Sequence, residues 1–137
     1  MFCDISPTCY KIALQKEIIK RHIKNFLRHE RYADTRQSEP LPCLVADCSS
    51  HLIKRGKGID PVLQENKAVN IKLANARMNG ILIRPGETFS FWHLVGKTTK
   101  RKGYRDGRIL VRNHLLPGIG GGLCNLANTI HRVVLLS

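Results

Sequence analysis

The segment PGIGGGLCNLAN, residues 117–128, combines four glycines with the start of an apolar repeat. Glycine adopts backbone angles that other residues avoid, so the run predicts a tight turn. Beyond the turn, Leu126, Ile130 and Val133 follow steps of 4 and 3, which places them on one face of a helix. The segment therefore predicts a glycine-rich turn that leads into a C-terminal helix, beginning near Leu123 and packed on the core.

Alternating side chains upstream of this turn predict β-strands. Residues alternate in Thr88–Trp92 and in Arg108–Arg112, and Ile81–Ile83 is a third short apolar segment. The dipeptides Pro85-Gly86 and Asp106-Gly107 favour turns next to these segments. We therefore expect a small antiparallel sheet that packs against the C-terminal helix. The side chains expected at this contact are Phe89, Phe91, Ile109 and Val111 from the strands, and Leu126 and Ile130 from the helix.

Two further segments have helical periodicity. Residues 10–30 place apolar side chains on one face and lysines on another. Residues 64–79 have a second apolar stripe and end at Asn79-Gly80, where glycine favours a helix terminus. We expect both stripes to pack on the core, and the alternative for the first helix is a membrane or partner surface. The first helix has Ile12, Ile19, Ile23 and Phe26 on its apolar face and Lys16, Lys20 and Lys24 on its basic face, and the second has Val69, Leu73 and Ala76.

The chain has 137 residues and a mass of 15.5 kDa, which fits a single α+β domain. We expect an N-terminal amphipathic helix, a central helix, a small antiparallel sheet and a C-terminal helix after the glycine-rich turn. Residues 1–32 form the N-terminal helical segment, residues 33–63 a connector and residues 64–137 the core. Prolines and glycines break regular structure in the connector, and a short strand is expected at Leu44–Ala46.

The chain is strongly basic. Lys and Arg number 23 against 10 acidic residues, which gives a net charge of +13 and a pI near 10.0. A basic cluster at residues 97–112 attracts phosphates, an anionic lipid surface or an acidic polymer, although a solvated basic face has the same composition. No helix-turn-helix, zinc-finger or RNA-binding signature accompanies the charge. The predicted anion-binding residues are Lys97, Lys100, Arg101, Lys102, Arg105, Arg108 and Arg112.

The cysteines favour a reducing compartment. Five cysteines are an odd number and form a poor disulfide framework. The N-terminus does not resemble a signal peptide, so we expect a cytoplasmic protein, with membrane-surface association as the alternative. Cys43, Cys48 and His51 are three potential metal ligands, but their spacing matches no common zinc site. We expect no metal and no cofactor.

One cysteine is placed as a nucleophile would be. Cys124 lies in the first turn of the C-terminal helix, where free backbone N–H groups and the helix dipole favour a thiolate. The same N–H groups could hold an oxyanion. The alternative is structural, with Cys124 as a small buried residue and the glycines permitting close packing. The predicted oxyanion donors are the backbone amides of Gly120, Gly121, Gly122 and Leu123.

A catalytic base for Cys124 has to come from another part of the chain. Asn128 and His131 lie on the same helix face as Cys124, but His131 is about 10 Å away along the helix axis. The ring of His131 is therefore too far to hydrogen-bond the thiol. His93 and His114 are the remaining candidates.

The chain contains three long and uncommon blocks, NIKLANARMNGILIRPGETFSFW at 70–92, LVGKTTKRKGYRDG at 94–107 and GIGGGLCNLAN at 118–128. In these blocks, and in residues 2–26, the chain resembles the VanW family, which is named from glycopeptide-resistance gene clusters. The resemblance implies an accessory role in glycopeptide (vancomycin) resistance and cell-wall metabolism, with no defined reaction.

The chain departs from the family pattern at two places. Asn125 stands where the family usually has glutamine after the cysteine. The family also continues into a β-rich region that contains histidines, whereas this chain ends in the apolar run 133–137 without a helix stop signal. We therefore expect a C-terminally truncated chain, which would lack any base that the missing region supplies to Cys124.

Three functional hypotheses follow. The first is an accessory resistance protein whose basic surface faces an anionic cell-wall precursor or a membrane. The second is a cysteine-dependent hydrolase or acyltransferase that acts on peptidoglycan-type amides, with Cys124 as the nucleophile. The third, a polyanion- or nucleic-acid-binding module, rests on charge alone. The first two differ at Cys124, since an enzyme needs a base within about 3 Å of the thiol, directly or through one water.

Overall fold

The computed structural model describes residues 6–111 and 114–137. Within these residues the chain forms four α-helices and one two-stranded antiparallel sheet, as expected for an α+β domain. The helices are α1 (Pro7–Leu27), α2 (Pro61–Met78), α3 (Phe91–Val95) and α4 (Leu123–Leu136), and the strands are β1 (Asp106–Val111) and β2 (His114–Ile119).

Helix α2 is at the centre of the packing, where it contacts β1, α3 and α4. The side chains of Ala74, Met78, Val95, Tyr104 and Leu123 are buried and form the core. The prediction for α4 is confirmed, because the helix begins at Leu123 and turns an apolar face to this core. Partly buried residues packed around the core include four of the predicted contact residues, Phe89, Phe91, Leu126 and Ile130.

The sheet is a hairpin. The prediction of a strand at Arg108–Arg112 is confirmed for Arg108–Val111, and Arg112 lies outside the described residues. Its partner is β2, which the sequence did not predict, with Ile109 opposite Leu116. Ile109 and Val111 were expected to pack against α4, but they are half-buried and do not belong to the core cluster. Ile109 lies over Gly118 of β2 instead. The expected turn residues Asp106 and Gly107 begin β1 instead.

The predicted strand at Thr88–Trp92 is wrong. Its second half belongs to α3, because the Ser90 hydroxyl caps the helix by accepting from the His93 N–H at 3.4 Å. Thr88 forms an isolated bridge to Tyr32, the residue directly before the connector. The predicted strands at Ile81–Ile83 and Leu44–Ala46 are also absent, and only Ile81 forms a bridge, to Arg36. The turn at Pro85-Gly86 is confirmed by the Glu87 N–H, which donates to the Arg84 carbonyl at 3.0 Å.

Helix α2 buries a different face from the predicted one. Its bounds agree with the prediction of 64–79 to within three residues, and Asn79 is its C-cap. Ala76, however, is exposed, and Val69 and Leu73 are only half-buried. The face that is buried is polar, because it lies against loop backbone whose N–H and C=O groups need hydrogen-bond partners. The buried residues of α2 are Gln64, Lys67, Asn70, Ala74 and Met78.

Helix α1 begins after Ser6, whose hydroxyl accepts from the Cys9 N–H at 3.2 Å. The helix itself was predicted, but its expected packing on the core is wrong, because Ile12, Ile19 and Ile23 are all exposed. Among the described residues, none of the helices combines the length and the apolar character needed to cross a bilayer.

Candidate functional site

Backbone hydrogen bonds stabilise the glycine-rich turn between β2 and α4. Gly120 and Gly122 take positive φ angles of 77° and 94°, which favour glycine. The Gly120 N–H donates to the Arg105 carbonyl at 3.0 Å, and the Gly121 N–H donates to the Gly118 carbonyl at 3.1 Å. Two of the four predicted oxyanion donors, Gly120 and Gly121, are therefore already engaged within the fold.

Two glycines allow the turn to lie directly on β1. A Cβ atom on Gly121 would come within 2.6 Å of the Arg108 nitrogen and still closer to the carbonyl group of Gly107. A Cβ on Gly107 would come within 2.6 Å of the Gly121 oxygen. The structural explanation of the glycines, close packing of backbone on backbone, is thus the one that these contacts support.

A single asparagine on α2 joins the turn to the start of β1. The Asn70 side chain is fully buried, and its Nδ2 donates to the Arg105 carbonyl and to the Gly121 carbonyl, both at 2.9 Å. Its Oδ1 accepts from the Arg105 N–H at 2.8 Å. Sequence reasoning missed this residue. The available signal was an asparagine inside a helix, where this residue type is disfavoured unless its side chain has another partner.

A buried lysine supports the other side of the turn. The Lys67 ammonium donates to the Leu52 carbonyl at 2.6 Å, and its carbon chain lies directly under Gly122. Burial lowers the pKa of Lys67, and repulsion from Lys54 lowers this pKa further. The backbone N–H of Lys54 in turn donates to the Gln64 side chain at 3.2 Å. Helix α2 thus anchors the connector beside the turn.

The lowered pKa of Lys67 predicts a specific pH dependence of stability. Between the folded-state pKa and the ordinary value of 10.5, the unfolded chain binds a proton that the folded chain lacks. The destabilisation caused by the buried charge is therefore complete below the folded-state pKa, and it is relieved as the pH rises towards 10.5. We expect the free energy of unfolding of the native chain, relative to that of Lys67→Met, to rise with pH between the lowered folded-state pKa of Lys67 and the ordinary value of 10.5.

Urea unfolding at several pH values measures this difference. The control is Lys72→Met, which removes an exposed lysine from the same helix. A difference between the native chain and Lys67→Met that stays constant or falls across this pH range would contradict the prediction.

Cys124 lies in the first turn of α4, as predicted, and its side chain is exposed. Exposure contradicts the alternative of a small buried residue. Asn128 and His131 are exposed along the same helix, as the helical spacing predicts. The side chain of Asn125, which follows the cysteine, accepts a hydrogen bond from the Ser50 hydroxyl of the connector at 3.3 Å.

The two histidines considered as bases have other surroundings. The His93 ring lies 3.0 Å from the Asp34 carboxylate and stacks on Tyr32, with ring centroids 4.4 Å apart. His114 is exposed at the start of β2, opposite Val111. Within the described residues, no hydrogen bond joins either ring to Cys124, and the His93 ring is paired with Asp34 instead.

The predicted basic cluster occupies the segment between α3 and β1 and continues into β1. A short 3-10 helix at Lys100–Lys102 presents three consecutive basic side chains to solvent. Arg108 is half-buried and donates to the Gly58 carbonyl at 3.1 Å. Asp106 lies 3.7 Å from the Lys100 ammonium. Arg112 lies outside the described residues, and the exposed members of the cluster are Lys97, Lys100, Arg101, Lys102 and Arg105.

The three potential ligands in the connector do not form a metal centre. In residues 6–111 and 114–137, no group of three or more His, Cys, Asp or Glu side chains is arranged to hold a metal ion. Cys43 is exposed, and the Cys48 thiol lies 3.8 Å from the Ser49 carbonyl.

Comparison with known proteins identifies relatives of the chain. It is 41 % identical over 104 residues to the Vancomycin B-type resistance protein VanW of Enterococcus faecalis, an alignment that covers 76 % of this chain and 38 % of that protein. It is 36 % identical over 70 residues to the uncharacterized protein YoaR of Bacillus subtilis, covering 51 % of this chain and 23 % of that protein. The chain thus spans well under half the length of these curated relatives.

No solved structure matches the chain. The family model described as VanW like protein matches residues 66–137, which include α2 from its second turn onward, the hairpin, the glycine-rich turn and α4. This match covers more than half of the chain. It contains Cys124 and the Asn70 junction, by which we mean the hydrogen bonds of the Asn70 side chain to Arg105 and Gly121. The chain therefore belongs to the VanW family.

Proposed function

We propose that the chain acts as an accessory protein of glycopeptide resistance and cell-wall metabolism, by binding an anionic cell-wall precursor. The observation that carries the proposal is the 41 % identity to a protein named for vancomycin B-type resistance. The matched family region includes both the glycine-rich turn and the basic cluster.

The charge distribution supports an anionic ligand. The basic cluster presents exposed lysines and arginines next to the point where the buried Asn70 side chain hydrogen-bonds the backbone of Arg105. Phosphate and carboxylate groups of a cell-wall precursor would be attracted to such a field, which raises their local concentration. Guanidinium groups can also bind phosphate or carboxylate through paired hydrogen bonds.

The contacts around Cys124 favour binding over covalent chemistry. The glycine amides of Gly120 and Gly121 stabilise the turn, and the candidate bases have no hydrogen bond to the thiol within the described residues. The proposed role therefore does not require the Cys124 thiol.

The test in cells is deletion of the gene in the organism that encodes it, followed by return of the full-length gene or of a Cys124→Ser version. We expect deletion to lower the minimum inhibitory concentration of vancomycin and both genes to restore it. An unchanged minimum inhibitory concentration after deletion would overturn the resistance role. Restoration by the native gene alone would favour the cysteine-dependent enzyme.

The test in vitro is binding of a uridine-diphosphate-linked muramyl pentapeptide to the purified full-length chain. We expect Lys100→Ala/Arg101→Ala/Lys102→Ala to weaken binding, and Lys16→Ala/Lys20→Ala/Lys24→Ala, which removes the same charge from α1, to have a smaller effect. We also expect binding to weaken between about 50 mM and about 300 mM salt. Equal losses in the two variants, or insensitivity to salt, would contradict a site at the basic cluster.

A further inference from the structure

Helix α1 carries the most extensive exposed apolar face on any single helix of the described chain. Ile12 is 57 %, Ile19 is 56 % and Ile23 is 55 % exposed, and Phe26 is 80 % exposed. At about 100° per residue these four side chains share one stripe along the helix. Exposed apolar residues are ordinary when scattered, but a contiguous stripe on one element indicates a surface that binds something.

The stripe is not covered by the packing that forms the core. Within residues 6–111 and 114–137, the main packing joins α2 to β1, α3 and α4, and β1 to β2. Helix α1 ends at Leu27, and beyond it the chain reaches Thr88 of the core region at Glu30, whose carboxylate accepts from the Thr88 hydroxyl at 2.9 Å. The described chain therefore presents the apolar stripe of α1 to solvent.

The charge on α1 identifies the chemistry of a partner. The helix contains five basic residues and one acidic residue, Glu17. Lys16, Lys20 and Lys24 are exposed and follow one another at steps of four, so they form a basic row beside the apolar stripe. A basic row beside an apolar stripe is typical of a helix that lies in the interface of an anionic membrane.

Charge also argues against a second copy of the chain as the partner. Pairing two α1 stripes would bring together two helices that each carry an excess of positive charge, on chains with a net charge of +13 each. An anionic bilayer instead complements the lysines with phosphate groups and accepts the apolar side chains among its acyl chains. Long lysine side chains can reach the headgroups while their helix lies lower in the interface.

We propose that α1 docks the protein on an anionic phospholipid surface, with its apolar stripe inserted at the acyl boundary and its lysine row at the headgroups. This docking does not depend on the proposed function, because it requires only α1. In a resistance role it would hold the basic cluster at the surface of a membrane.

The test is co-sedimentation of the full-length chain with vesicles of phosphatidylcholine that contain phosphatidylglycerol, compared with vesicles of phosphatidylcholine alone. We expect binding to the anionic vesicles and little to the neutral ones, with binding reduced by salt. Absence of binding to the anionic vesicles, or equal binding to both kinds, would overturn the proposal.

Matched variants distinguish binding through the α1 stripe from nonspecific hydrophobic adsorption to the vesicles. Ile19→Ser/Ile23→Ser removes two exposed apolar side chains from α1, and we expect it to reduce partitioning at least about tenfold. Leu110→Ser/Leu115→Ser removes two exposed leucines from the hairpin and should change partitioning less than about twofold. Circular dichroism of each variant confirms that its helix content is retained. Equal losses in the two variants would contradict docking through α1.

Two further measurements complete the test. Lys16→Ala/Lys20→Ala/Lys24→Ala should weaken vesicle binding more than Lys100→Ala/Arg101→Ala/Lys102→Ala, which removes the same charge from the basic cluster. Sedimentation without lipid should show a monomer, and a dimer that Ile19→Ser/Ile23→Ser abolishes would assign the stripe to a second copy and overturn the proposal. Vesicle binding without a change in vancomycin susceptibility on gene deletion would leave the docking intact and reject the resistance role.

Discussion

Replacing Asn70 by alanine should lower the free energy of unfolding by about 3–5 kcal/mol, because each buried group left without a partner costs about 1–3 kcal/mol. The substitution removes two donated bonds and one accepted bond from a fully buried side chain. It leaves the N–H of Arg105 and the carbonyl of Gly121 without this partner. The measurement is urea unfolding of the full-length chain at neutral pH.

The matched control is Asn75→Ala, at an exposed position on the same helix. Both variants gain the same helix propensity, so their difference isolates the buried amide. We expect Asn75→Ala to change stability by less than about 0.5 kcal/mol. A difference between the two variants below about 1 kcal/mol would show that the Asn70 junction contributes little.

Asn70→Asp tests the direction of these bonds. An ionised aspartate has nearly the shape of asparagine but has no hydrogen to donate. It would place a negative charge beside the carbonyl oxygens of Arg105 and Gly121, which now accept from the Asn70 Nδ2. We expect this variant to be at least as unstable as Asn70→Ala at neutral pH and to recover stability in acid, as the carboxyl group is protonated.

Gly121→Ala should lower the free energy of unfolding by about 3 kcal/mol or more, since overpacking against backbone leaves little room for relaxation. The added Cβ would overlap the carbonyl group of Gly107 and lie 2.6 Å from the Arg108 nitrogen. The turn and β1 would have to separate, which would also break the Asn70 hydrogen bonds. Urea unfolding measures the loss, and Gly121→Ala/Asn70→Ala should lose less than the sum of the two single changes, because both act on one junction.

Gly86→Ala is the control for this prediction. A Cβ on Gly86 meets nothing within 4 Å, but its φ of 81° makes alanine unfavourable there by about 1–2 kcal/mol. Gly121 has no such positive φ, so the destabilisation caused by Gly121→Ala comes from the close contacts of the added Cβ alone. If Gly121→Ala were no more destabilising than Gly86→Ala, the close approach of the turn to β1 would not be important for stability.

Long periodic patterns in the sequence predicted their elements correctly. The apolar repeat after the glycine run placed the start of α4 at Leu123, and the repeat in residues 10–30 predicted α1. In each case the period is sustained over several turns, so the local preference is strong. Short patterns were less dependable. The alternation in Arg108–Arg112 was confirmed as far as Val111, whereas that in Thr88–Trp92 spans too few residues to compete with the Ser90 cap that begins α3.

The partner of β1 was not recognisable from its own residues. Strand β2 contains Pro117 and Gly118, which usually weaken a strand. They are tolerated because β2 pairs on one side only, with β1, and because Ile109 packs over the bare Cα of Gly118. Such a strand is stabilised by its backbone hydrogen bonds to β1 rather than by the β-propensity of its own residues.

By itself, the sequence determined the family, the positions of α1, α2 and α4, the basic cluster and the place of Cys124 in the first turn of α4. These properties are local, because each depends on residues that are close together in the chain. Only the tertiary structure decided that α2 buries Gln64, Lys67 and Asn70, that Gly121 lies on Gly107, and that the stripe of α1 is exposed. Those outcomes depend on which loop backbone needs a hydrogen-bond partner and which surfaces meet. Both are determined by contacts between residues that are distant in the chain.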